Sequence, residues 1–459
     1  MCVESLSRYL ADETGMDVEA IKQLIEVDPD LPDVDFKPLL TKEQAKKLKQ
    51  ALESVKICDP AVGSGAFPLG MMQVMLAVRQ AIARREGMTI QRGSLTMSEW
   101  KRDIIANNLY GVDIKPEAIE IAKLRMWLSM VVDIPTIDDV EPLPNLDYKL
   151  MCGDSLISTI NGERLIPDPS KDQQTMLAVT PVQAAIQPVI DLQHQYFTSH
   201  ADERKVLREK IVEAEKNVFR VAIADRCSFW FGKQQELEDK IKLMKGKVSK
   251  AQEKERQQIA DKLTELDKFA AEVKRGMRSL NFFQWHLHFN EVFQQKGGFD
   301  IVIGNPPYVF ARNSKEKGLT AQDKKYLYDN FQLAEYQINL YPLFIEQGHF
   351  ILHSEGLLSY ITPNNWLTVN TNKKLRKFVL EQSDIQIVNF YNQVFDSASV
   401  DNAIIIFKKG IKSNQSIKLF EYKDNFKLVK QLQTDYFLSQ ENYLINIESL
   451  KSTSSIDLI

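Results

Sequence analysis

The sequence predicts an α/β fold with a parallel sheet that is interrupted by a long helical hairpin. Short apolar segments alternate with amphipathic helices over residues 51–154 and again from residue 299, which is the pattern of successive βα units. Between them, residues 200–278 are charged and carry a helical period instead. We therefore expect one sheet, built from two stretches of sequence, with a helical insertion between its halves.

Each predicted strand is a short apolar run bounded by turn residues or by an acid. The first half contains VKIC (55–58), NLYGVD (108–113) and YKLMCGD (148–154). The second half contains FDIVIG (299–304), GLLSYI (356–361), IQIVNF (385–390) and AIIIF (403–407). A further run, IKLFEY (417–422), indicates the start of a smaller β-containing domain.

Helices are predicted between these strands. They cover about 66–83, a stretch from Pro116 onward, about 335–352 and about 371–381. Pro116 suits the first turn of a helix, because its missing N–H needs no partner there.

The insertion is predicted to contain a loop followed by an antiparallel helical hairpin. Residues 155–195 are polar and contain prolines, which favours a loop, and a helix is predicted at about 201–224. Farther on, apolar side chains recur at mostly three- and four-residue steps, as in the seam of a coiled coil. The seam residues are Leu237, Ile241, Met244, Val248, Ala251, Ile259, Leu263, Leu266, Phe269 and Val273. Pairing within one chain is favoured over oligomerisation through this seam.

Bulk charge gives no argument for nucleic-acid binding. The chain has 58 basic and 62 acidic residues and a net charge of −4, so DNA binding would require a local basic face. Candidates for such a face are Arg312, Lys315, Lys317, Lys324, Lys325 and the segment KKLRK at 373–377.

Cysteine and histidine usage indicates an intracellular protein without a metal site. The four cysteines form no CxxC pair, which indicates reduced thiols, and the six histidines do not cluster as ligands. No run of 18 or more apolar residues and no signal-peptide pattern is present, so we expect a cytoplasmic protein without a membrane span.

A glycine-rich turn, DPAVGSGAF (59–67), follows the first predicted strand. Gly63 and Gly65 allow a ligand to approach the backbone closely, and the helix that follows brings its positive end. Pro68 stands where the dinucleotide fingerprint G-x-G-x-x-G needs its third glycine, and no Gly-Lys-Ser/Thr sequence follows. The turn therefore suits a ligand other than a dinucleotide or a P-loop phosphate.

Acids end the next two predicted strands. Asp113 could accept both hydrogen bonds of a ribose diol, and Asp154 could accept one from the amino group of adenine. Each acid alone also suits a helix N-cap. Ligands in open α/β sheets lie beyond the carboxyl ends of the strands. A glycine turn and two acids there, without a phosphate-binding device, predict an adenosine ligand without phosphates, of which S-adenosylmethionine is the common one.

Asn305, Pro306, Pro307 and Tyr308 follow the strand FDIVIG. The prolines fix φ and remove two N–H donors, so this turn is rigid and presents carbonyl oxygens. The Asn305 side chain and the Pro306 carbonyl could accept both hydrogens of a planar amino group, while Tyr308 stacks on the ring that bears it. Accepting both hydrogens returns the lone pair to nitrogen, and no general base is needed before methyl transfer because electrostatic preorganisation does most of the work. The alternative is a rigid turn without a ligand.

These stretches resemble the gamma-class DNA N6-adenine methyltransferases, and most of all the branch of type IIG restriction–modification enzymes and their methylases. The matching segments are DPAVGSGAF, GVDIKPEAIEIAKLRMWLS, CGDSL and GGFDIVIGNPPYV for motifs I to IV, FFQWHLHFNEVF as the lead-in to motif IV, and NLYPLFIEQG, GLLSYITPNNWL and VFDSASVDNAIIIF for motifs V to VIII. The resemblance covers roughly residues 5–410. It implies a Rossmann-like methyltransferase sheet, S-adenosylmethionine as cofactor, and an adenine flipped out of double-stranded DNA as substrate.

The resemblance also implies roles for individual residues. It implies cofactor binding by Asp59, Pro60, Ala61, Gly63, Ser64, Gly65, Phe67, Asp113, Ile114, Asp154 and Ser155, with Phe67 against the adenine of the cofactor. Catalytic roles fall to Asn305, Pro306, Pro307 and Tyr308, and Phe395 stacks on the flipped base opposite Tyr308. A restriction or specificity domain or subunit is implied as a further partner.

The predicted domains follow from this resemblance. They are an N-terminal helical segment (1–50), the cofactor-binding half of the methyltransferase domain (51–160), the helical hairpin insertion (161–280), the catalytic half (281–410) and the start of a target-recognition domain (411–459).

Three features depart from the family pattern. The family places a further motif before a stretch like MCVESLSRYL, with which this chain begins. Asn339 stands where the family usually has aspartate. The recognition domain has barely begun at residue 459, and no nuclease motif of the PD…ExK kind is visible. We therefore expect a methyltransferase core cut from a longer protein, or a defective gene product.

Several alternatives stay open. One is a non-catalytic DNA- or partner-binding fragment with a vestigial site. Another is an N-methyltransferase of RNA adenine or protein glutamine, although such proteins tend to be shorter and to lack the FFQWHLHF and ITPNNWL segments. Cytosine N4 is a third possible target, although asparagine at 305 favours adenine. The DNA recognition sequence does not follow from this sequence.

Overall fold

A computed structural model of the chain describes residues 1–27, 39–88, 90, 93–134, 136, 140, 146, 148–158, 180–199, 201–243, 248–275, 283–309, 321–335, 338–392, 394, 401–410 and 415–452. Contacts among these residues divide the chain into two compact units. The first unit comprises Met1–Leu156, Val292–Leu319 and Leu327–Ile459. The second comprises Ile157–Glu291 and Thr320–Tyr326.

The first unit is built on one mixed sheet, in which the described residues form nine strands with the order β3-β2-β1-β4-β5-β7-β6-β8-β9. The strands are β1 Ile57–Asp59, β2 Leu109–Asp113, β3 Leu150–Cys152, β4 Phe299–Gly304, β5 Leu352–Pro363, β6 Ser383–Phe390, β7 Asn402–Lys408, β8 Ser416–Tyr422 and β9 Phe426–Gln433. Strands β1 to β5 pair in parallel, and their order is that of a Rossmann-type sheet. The prediction of a Rossmann-like α/β fold is therefore confirmed.

The order of the sheet reverses between β1 and β4. The chain leaves β1 toward β2 and β3, and then returns to place β4 on the other side of β1. In open α/β sheets this reversal opens a crevice beyond the carboxyl ends of the strands. Residues 59–67 and 305–308 follow the two strands that flank this point, so the sheet brings both predicted motifs to the same crevice.

Helices cover the sheet in the first unit. They are α1 Cys2–Thr14, α2 Val18–Ile25, α3 Lys42–Ser54, α4 Ala66–Arg85, α5 Leu95–Asn107 and α6 Pro116–Val131. Pro116 is in the first turn of α6, as predicted. Among the described residues, α4 alone is long and apolar enough to span a membrane, but more than half of its apolar window is buried, as expected for a core helix.

Among the described residues, the α-helices that lie wholly in the second unit are α7 Pro181–Thr198, α8 Ala201–Leu243, α9 Lys250–Arg275 and α10 Trp285–His288. The first three belong to the insertion. The remaining α-helices, which lie partly or wholly in the first unit, are α11 Asn290–Lys296, α12 Ala321–Asn330, α13 Leu340–Ile351, α14 Lys373–Leu380, α15 Thr434–Leu438 and α16 Ile447–Ser452. Short 3-10 helices span Asn364–Leu367, Asn370–Asn372 and Glu441–Tyr443.

The predicted helical hairpin is confirmed, but two of its predicted boundaries are wrong. Helix α8 continues to Leu243 instead of ending near residue 224. The loop predicted over 155–195 is wrong at its end, because α7 begins at Pro181 with a capping box between Thr180 and Gln183. Pro188 lies inside this helix, and its presence favoured the loop.

The predicted seam is largely buried. Phe269 is 2% exposed and packs edge-on against Phe219 of α8, with ring centroids 6.4 Å apart. Val248, which is 41% exposed, and Ala251 are exposed, so their inclusion in a buried seam is wrong. Met244 is outside the described residues. The other buried seam residues are Leu237, Ile241, Ile259, Leu266 and Val273.

The C-terminal strands join the main sheet. Strand β8 pairs in parallel with β6, and β9, which the sequence did not predict, pairs antiparallel with β8. The run IKLFEY therefore extends the existing sheet and does not start a second one. The assignment of residues 411–459 to a recognition domain stays a prediction.

Candidate active site

The carboxyl ends of β1 to β4 lie at one edge of the sheet because these strands are parallel. Asp59, Asp113 and Gly304 are the last residues of three of them. Asp154 follows β3 by two residues, and Asn305 follows β4 directly. The tertiary structure thus brings together four segments that are far apart in sequence.

The glycine turn after β1 is fixed to β2. Gly63 and Gly65 have positive φ values of 51° and 82°, which favour glycine. The Gly63 N–H donates a hydrogen bond of 2.9 Å to the Asp113 carboxylate. A Cβ atom on Gly65 would lie 3.1 Å from the Cβ of Ala122 in α6. The backbone conformation therefore favours glycine at both positions, and close packing favours it at Gly65 as well.

Arg125 of α6 also contacts this turn, and the sequence analysis did not identify it. Its Nη1 donates to the Ser64 carbonyl and to the Ser64 hydroxyl, both at 2.9 Å. In the sequence, only its position could have indicated this role. Arg125 lies nine residues after the start of the helix that follows β2, and a long side chain reaches the turn from there.

The two predicted acids also stabilise local turns. Asp113 accepts a second hydrogen bond, of 2.9 Å, from the Lys115 N–H, and Asp154 accepts one of 2.9 Å from the Leu156 N–H. Each carboxylate keeps further lone pairs for a ligand, because an ionised carboxylate has about four acceptor sites. The structural and ligand-binding interpretations of these acids are therefore compatible.

An exposed apolar side chain follows the first of these acids in the sequence. Ile114 is 56% exposed, directly after Asp113, and its carbonyl is 3.6 Å from the thiol of Cys152 at the end of β3. The hydroxyl of buried Ser155 donates to the Pro60 carbonyl at 2.6 Å and joins the third strand end to the first turn. A nucleoside needs both apolar contact and carboxylate acceptors, and an exposed apolar side chain near carboxylates offers both.

Phe67 lies in the first turn of α4 and is half-buried. It packs against two apolar clusters, one containing Ile301 and Ile303 and the other containing Ile361 and Ile404. Phe67 therefore contacts both of these apolar clusters.

Asp59 is the most buried acid of the site, at 1% exposure. Burial raises the pKa of its carboxyl group to about 8, aided by the negative charge of Asp113 and opposed by the hydrogen bond from the Ala61 N–H. A Cβ atom on Gly304 would lie only 2.6 Å from Asp59 Oδ1. The carboxyl group therefore lies directly against the β4 backbone, one residue before Asn305.

The segment Asn305–Tyr308 has an open acceptor. The Asn305 side-chain oxygen is buried and accepts no hydrogen bond from the residues that the structure describes. Asn339, the N-cap of α13, likewise has a buried side-chain oxygen with no partner among them. The Leu340 N–H donates to the Val309 carbonyl at 3.1 Å, so Asn339 is close to this segment. Unpartnered buried acceptors are costly, and they suit a ligand that carries N–H donors.

Tyr308 is held by two neighbouring strands. Its hydroxyl donates to the Ile361 carbonyl of β5 at 3.0 Å and accepts from the Asn402 amide of β7 at 3.4 Å. Its ring lies edge-on to that of Tyr341, with centroids 6.4 Å apart. Burial raises the pKa of the Tyr308 hydroxyl well above its ordinary value. The sequence analysis missed Asn402 and Tyr341, although both lie in segments that it matched to family motifs.

Some predicted residues lie outside the described part of the chain. They are Phe395 of the base-stacking pair and Arg312, Lys315 and Lys317 of the basic face. Within the described residues, no group of three or more His, Cys, Asp or Glu side chains could hold a metal ion.

The segment KKLRK is only partly available for a basic face. Lys373, Lys374 and Lys377 are exposed, but Arg376 is 0% exposed and donates to the carbonyls of Trp366 and Val369. The inclusion of Arg376 in a basic face is therefore wrong, because its guanidinium group stabilises the chain after β5.

Comparison with known proteins identifies relatives over most of the chain. The profile of the Eco57I restriction-modification methylase family matches residues 107–395, and that of the MmeI DNA-methyltransferase domain matches residues 37–142. A protein of Methanocaldococcus jannaschii that is named as a type II restriction enzyme and methyltransferase is 26% identical over 86% of this chain and 33% of its own length.

A second curated relative and a solved structure are also similar to this chain. The type II restriction enzyme and methyltransferase Eco57I of Escherichia coli is 29% identical over 35% of this chain and 15% of its own length. The solved structure of the type IIL restriction-modification enzyme MmeI in complex with DNA aligns with a TM-score of 0.41 and 11% identity over 92% of this chain and 41% of that one. The chain thus spans about a third or less of the length of these curated relatives.

Proposed function

Because the chain belongs to the Eco57I restriction-modification methylase family, we propose that it transfers a methyl group from S-adenosylmethionine to N6 of adenine in a specific DNA sequence. Its substrate would be double-stranded DNA with the target adenine flipped out, as chemistry on a paired base requires. The protein would act in the cytoplasm as part of a restriction–modification system, with a restriction or specificity domain or subunit as partner.

The observation that carries this proposal is the open acceptor of Asn305. Its buried oxygen has no partner among the described residues, it follows the central strand β4, and it lies one residue beyond the Asp59–Gly304 contact. A donor from a substrate would satisfy this acceptor. The exocyclic amino group of adenine carries two such N–H donors, one for Asn305 and one for the Pro306 carbonyl.

The residues around the glycine turn fit S-adenosylmethionine. Gly63 and Gly65 admit a ligand close to the backbone. Asp113 and Asp154 offer carboxylates, and Ile114 offers an exposed apolar side chain. The site contains no P-loop, in keeping with a cofactor that has no phosphates. When bound, the cofactor supplies an electrophilic methyl group on sulfur.

The chain's own residues would activate the nucleophile. Asn305 and Pro306 accept the amino hydrogens and localise the lone pair on nitrogen, while the Tyr308 ring stacks on the base. Tyr308 does not serve as the base, because burial raises the pKa of its hydroxyl well above the ordinary value and keeps it a neutral phenol, which is a very weak base. Transfer would exchange the methyl–sulfur bond of the cofactor for the new methyl–nitrogen bond. The amino proton, made acidic by the new bond, would then pass to solvent, so no general base is needed before transfer.

Digestion and mass spectrometry of DNA test this proposal without knowledge of the recognition sequence. Genomic DNA from a strain that lacks adenine methylation is incubated with the protein and S-adenosylmethionine, and N6-methyladenine is quantified. We expect methyladenine with the wild type and a loss of at least about 100-fold with Asn305→Ala, at nearly unchanged cofactor affinity. Asn217→Ala, at an exposed position of α8, is the matched control and should keep full activity.

Other results would contradict parts of the proposal. N4-methylcytosine in place of methyladenine would change the target base. Cofactor binding with transfer only to RNA or to a glutamine-containing peptide would change the substrate class. DNA binding without cofactor binding would indicate a non-catalytic fragment, and full transfer by Asn305→Ala would remove the assigned role of Asn305.

A further inference from the structure

We infer that Asn402 is a positioning residue that fixes the ring of Tyr308 for stacking on the substrate base. The inference rests on the proposed function and adds to it a residue of β7, a strand that carries none of the predicted catalytic groups. It follows from the hydrogen bonds around the Tyr308 hydroxyl and from the burial of the Asn402 amide.

The Asn402 amide has a defined orientation. It is the first residue of β7 and is 1% exposed. Its Nδ2 lies 3.4 Å from the Tyr308 hydroxyl and 3.5 Å from the Thr362 carbonyl. A carbonyl oxygen can only accept a hydrogen bond, so the contact with Thr362 requires the NH₂ group, not the amide oxygen, on this side. The amide therefore donates toward Tyr308.

The Tyr308 hydroxyl is thereby restrained from two strands. It donates its proton to the Ile361 carbonyl of β5 at 3.0 Å and accepts from Asn402 of β7. Pro307 restricts the backbone at the other end of the side chain, and the Tyr341 ring lies edge-on at 6.4 Å. With both ends of the side chain restrained, the plane of the ring is defined before a base arrives.

Strand packing alone does not explain an asparagine at this position. The next four residues of β7 are Ala403, Ile404, Ile405 and Ile406, all buried and apolar. The Asn402 oxygen is buried and accepts no hydrogen bond from the described residues, which lowers stability relative to an apolar side chain. Residues that break a local packing rule are expected at functional sites, and the group that this amide contacts is the predicted stacking tyrosine.

The functional consequence concerns the rate of transfer. A stacked base must be held so that its amino group faces Asn305, because small errors of orientation strongly lower the rate of transfer. Loss of the Asn402 restraint should therefore lower kcat and leave the KM for S-adenosylmethionine unchanged. An asparagine that only supported the sheet would alter stability and both kinetic constants together.

A double-mutant cycle tests this role. We expect Asn402→Ala and Tyr308→Phe each to lower kcat about three- to tenfold, the range of one lost hydrogen bond. The combined variant should be no slower than Tyr308→Phe alone, because the amide then has no hydroxyl to hold. Multiplicative losses in the combined variant, or full kcat in Asn402→Ala, would overturn the inference.

A spectroscopic measurement separates this inference from the proposed function. In protein labelled with 3-fluorotyrosine, the ¹⁹F signal of Tyr308 is identified by its absence in Tyr308→Phe. We expect Asn402→Ala to shift it and Asn389→Ala to leave it in place. Asn389 is the matched control, since it is a buried strand asparagine whose side-chain oxygen instead accepts from Asn364 at 2.9 Å.

The outcomes are distinguishable. A shifted signal without any DNA methylation by the wild type would refute the proposed function and retain the contact. An unshifted signal in Asn402→Ala would refute the contact itself. If Asn402→Ala does not fold, Asn402→Asp keeps the side-chain shape without the NH₂ donors and is also expected to shift the signal.

Discussion

At the residue scale, the contact between Asp59 and Gly304 joins the two halves of the candidate site. The Asp59 carboxyl group is almost fully buried, and it lies so close to the Gly304 backbone that a Cβ atom there would be 2.6 Å from Oδ1. Asp59 starts the glycine turn, and Gly304 precedes Asn305. The sequence indicated both neighbouring motifs, but it gave no sign that an acid of one requires a glycine in the other.

Gly304→Ala should therefore destabilise the first unit. The added methyl group would clash with a short, buried side chain, and we expect a loss of about 1–3 kcal/mol in the free energy of unfolding. Urea denaturation followed by circular dichroism measures this loss. Gly232→Ala is the matched control: it lies in α8, a Cβ atom there meets no atom within 4 Å, and alanine should stabilise the helix by up to about 1 kcal/mol. Equal effects of the two substitutions would show that the Asp59 contact does not constrain residue 304.

At the scale of elements, the helical period of apolar residues predicted the hairpin helices, whereas composition led to a wrong prediction for α7. The seam of α8 and α9 was predicted from spacing, and Phe269 and Ile241 are buried as expected. Helix α7 was missed because prolines and polar residues favoured a loop. Its capping box at Thr180 and Gln183 is visible in the sequence, and it outweighs Pro188 because capping and burial of Val182 and Val189 stabilise the helix.

Glu215 makes the stability of α8 depend on pH. It is 7% exposed, its Oε1 has no partner among the described residues, and burial raises the pKa of its carboxyl group to about 7 from 4.5. The folded state then binds more protons than the unfolded state between these values, so stability falls as pH rises from about 4.5 to 7. The fall is at most about 1.4 kcal/mol per pH unit.

Glu215→Gln should remove this pH dependence and raise stability at pH 8, as measured by denaturation of the second unit at several pH values. Glu213→Gln is the matched control, because Glu213 is 62% exposed on the same helix and pairs with Lys216 and Arg220. It should change stability by less than about 0.5 kcal/mol. A slope that is unchanged in Glu215→Gln would show that another group titrates.

At the scale of the whole molecule, the sheet order decides which motifs meet. The segments at residues 59–67, 113–114, 154–155 and 305–308 are separated by up to about 240 positions, and the parallel arrangement of β1 to β4 brings them to one edge. Their chemistry was readable from the sequence, because glycine turns, strand-end acids and a rigid Asn-Pro-Pro-Tyr turn each have a local signature. The supporting residues Arg125, Tyr341 and Asn402 have none, since their roles consist of contacts across the fold.

Binding of S-adenosylmethionine should stabilise the folded protein. At a cofactor concentration 100 times its Kd, we expect about 2.7 kcal/mol of stabilisation, seen as a rise in Tm. Asp113→Ala should abolish the rise, because it removes both a ligand acceptor and the bond that holds Gly63. Each variant is compared with its own Tm without cofactor. Asp239→Ala, at an exposed position of α8, should retain the rise, and a full rise in Asp113→Ala would contradict the assigned site.

The fold class, the helical hairpin and the short segments proposed to form the site could be predicted from the sequence. These depend on local patterns of apolar residues, glycines and prolines, which act within a few residues of the chain. Three features could be seen only in the folded chain: β8 and β9 extend the main sheet, Arg376 is buried and not part of a basic face, and Asn402 reaches Tyr308. Strand pairing and side-chain contacts between distant segments depend on the whole fold, and no local pattern specifies them.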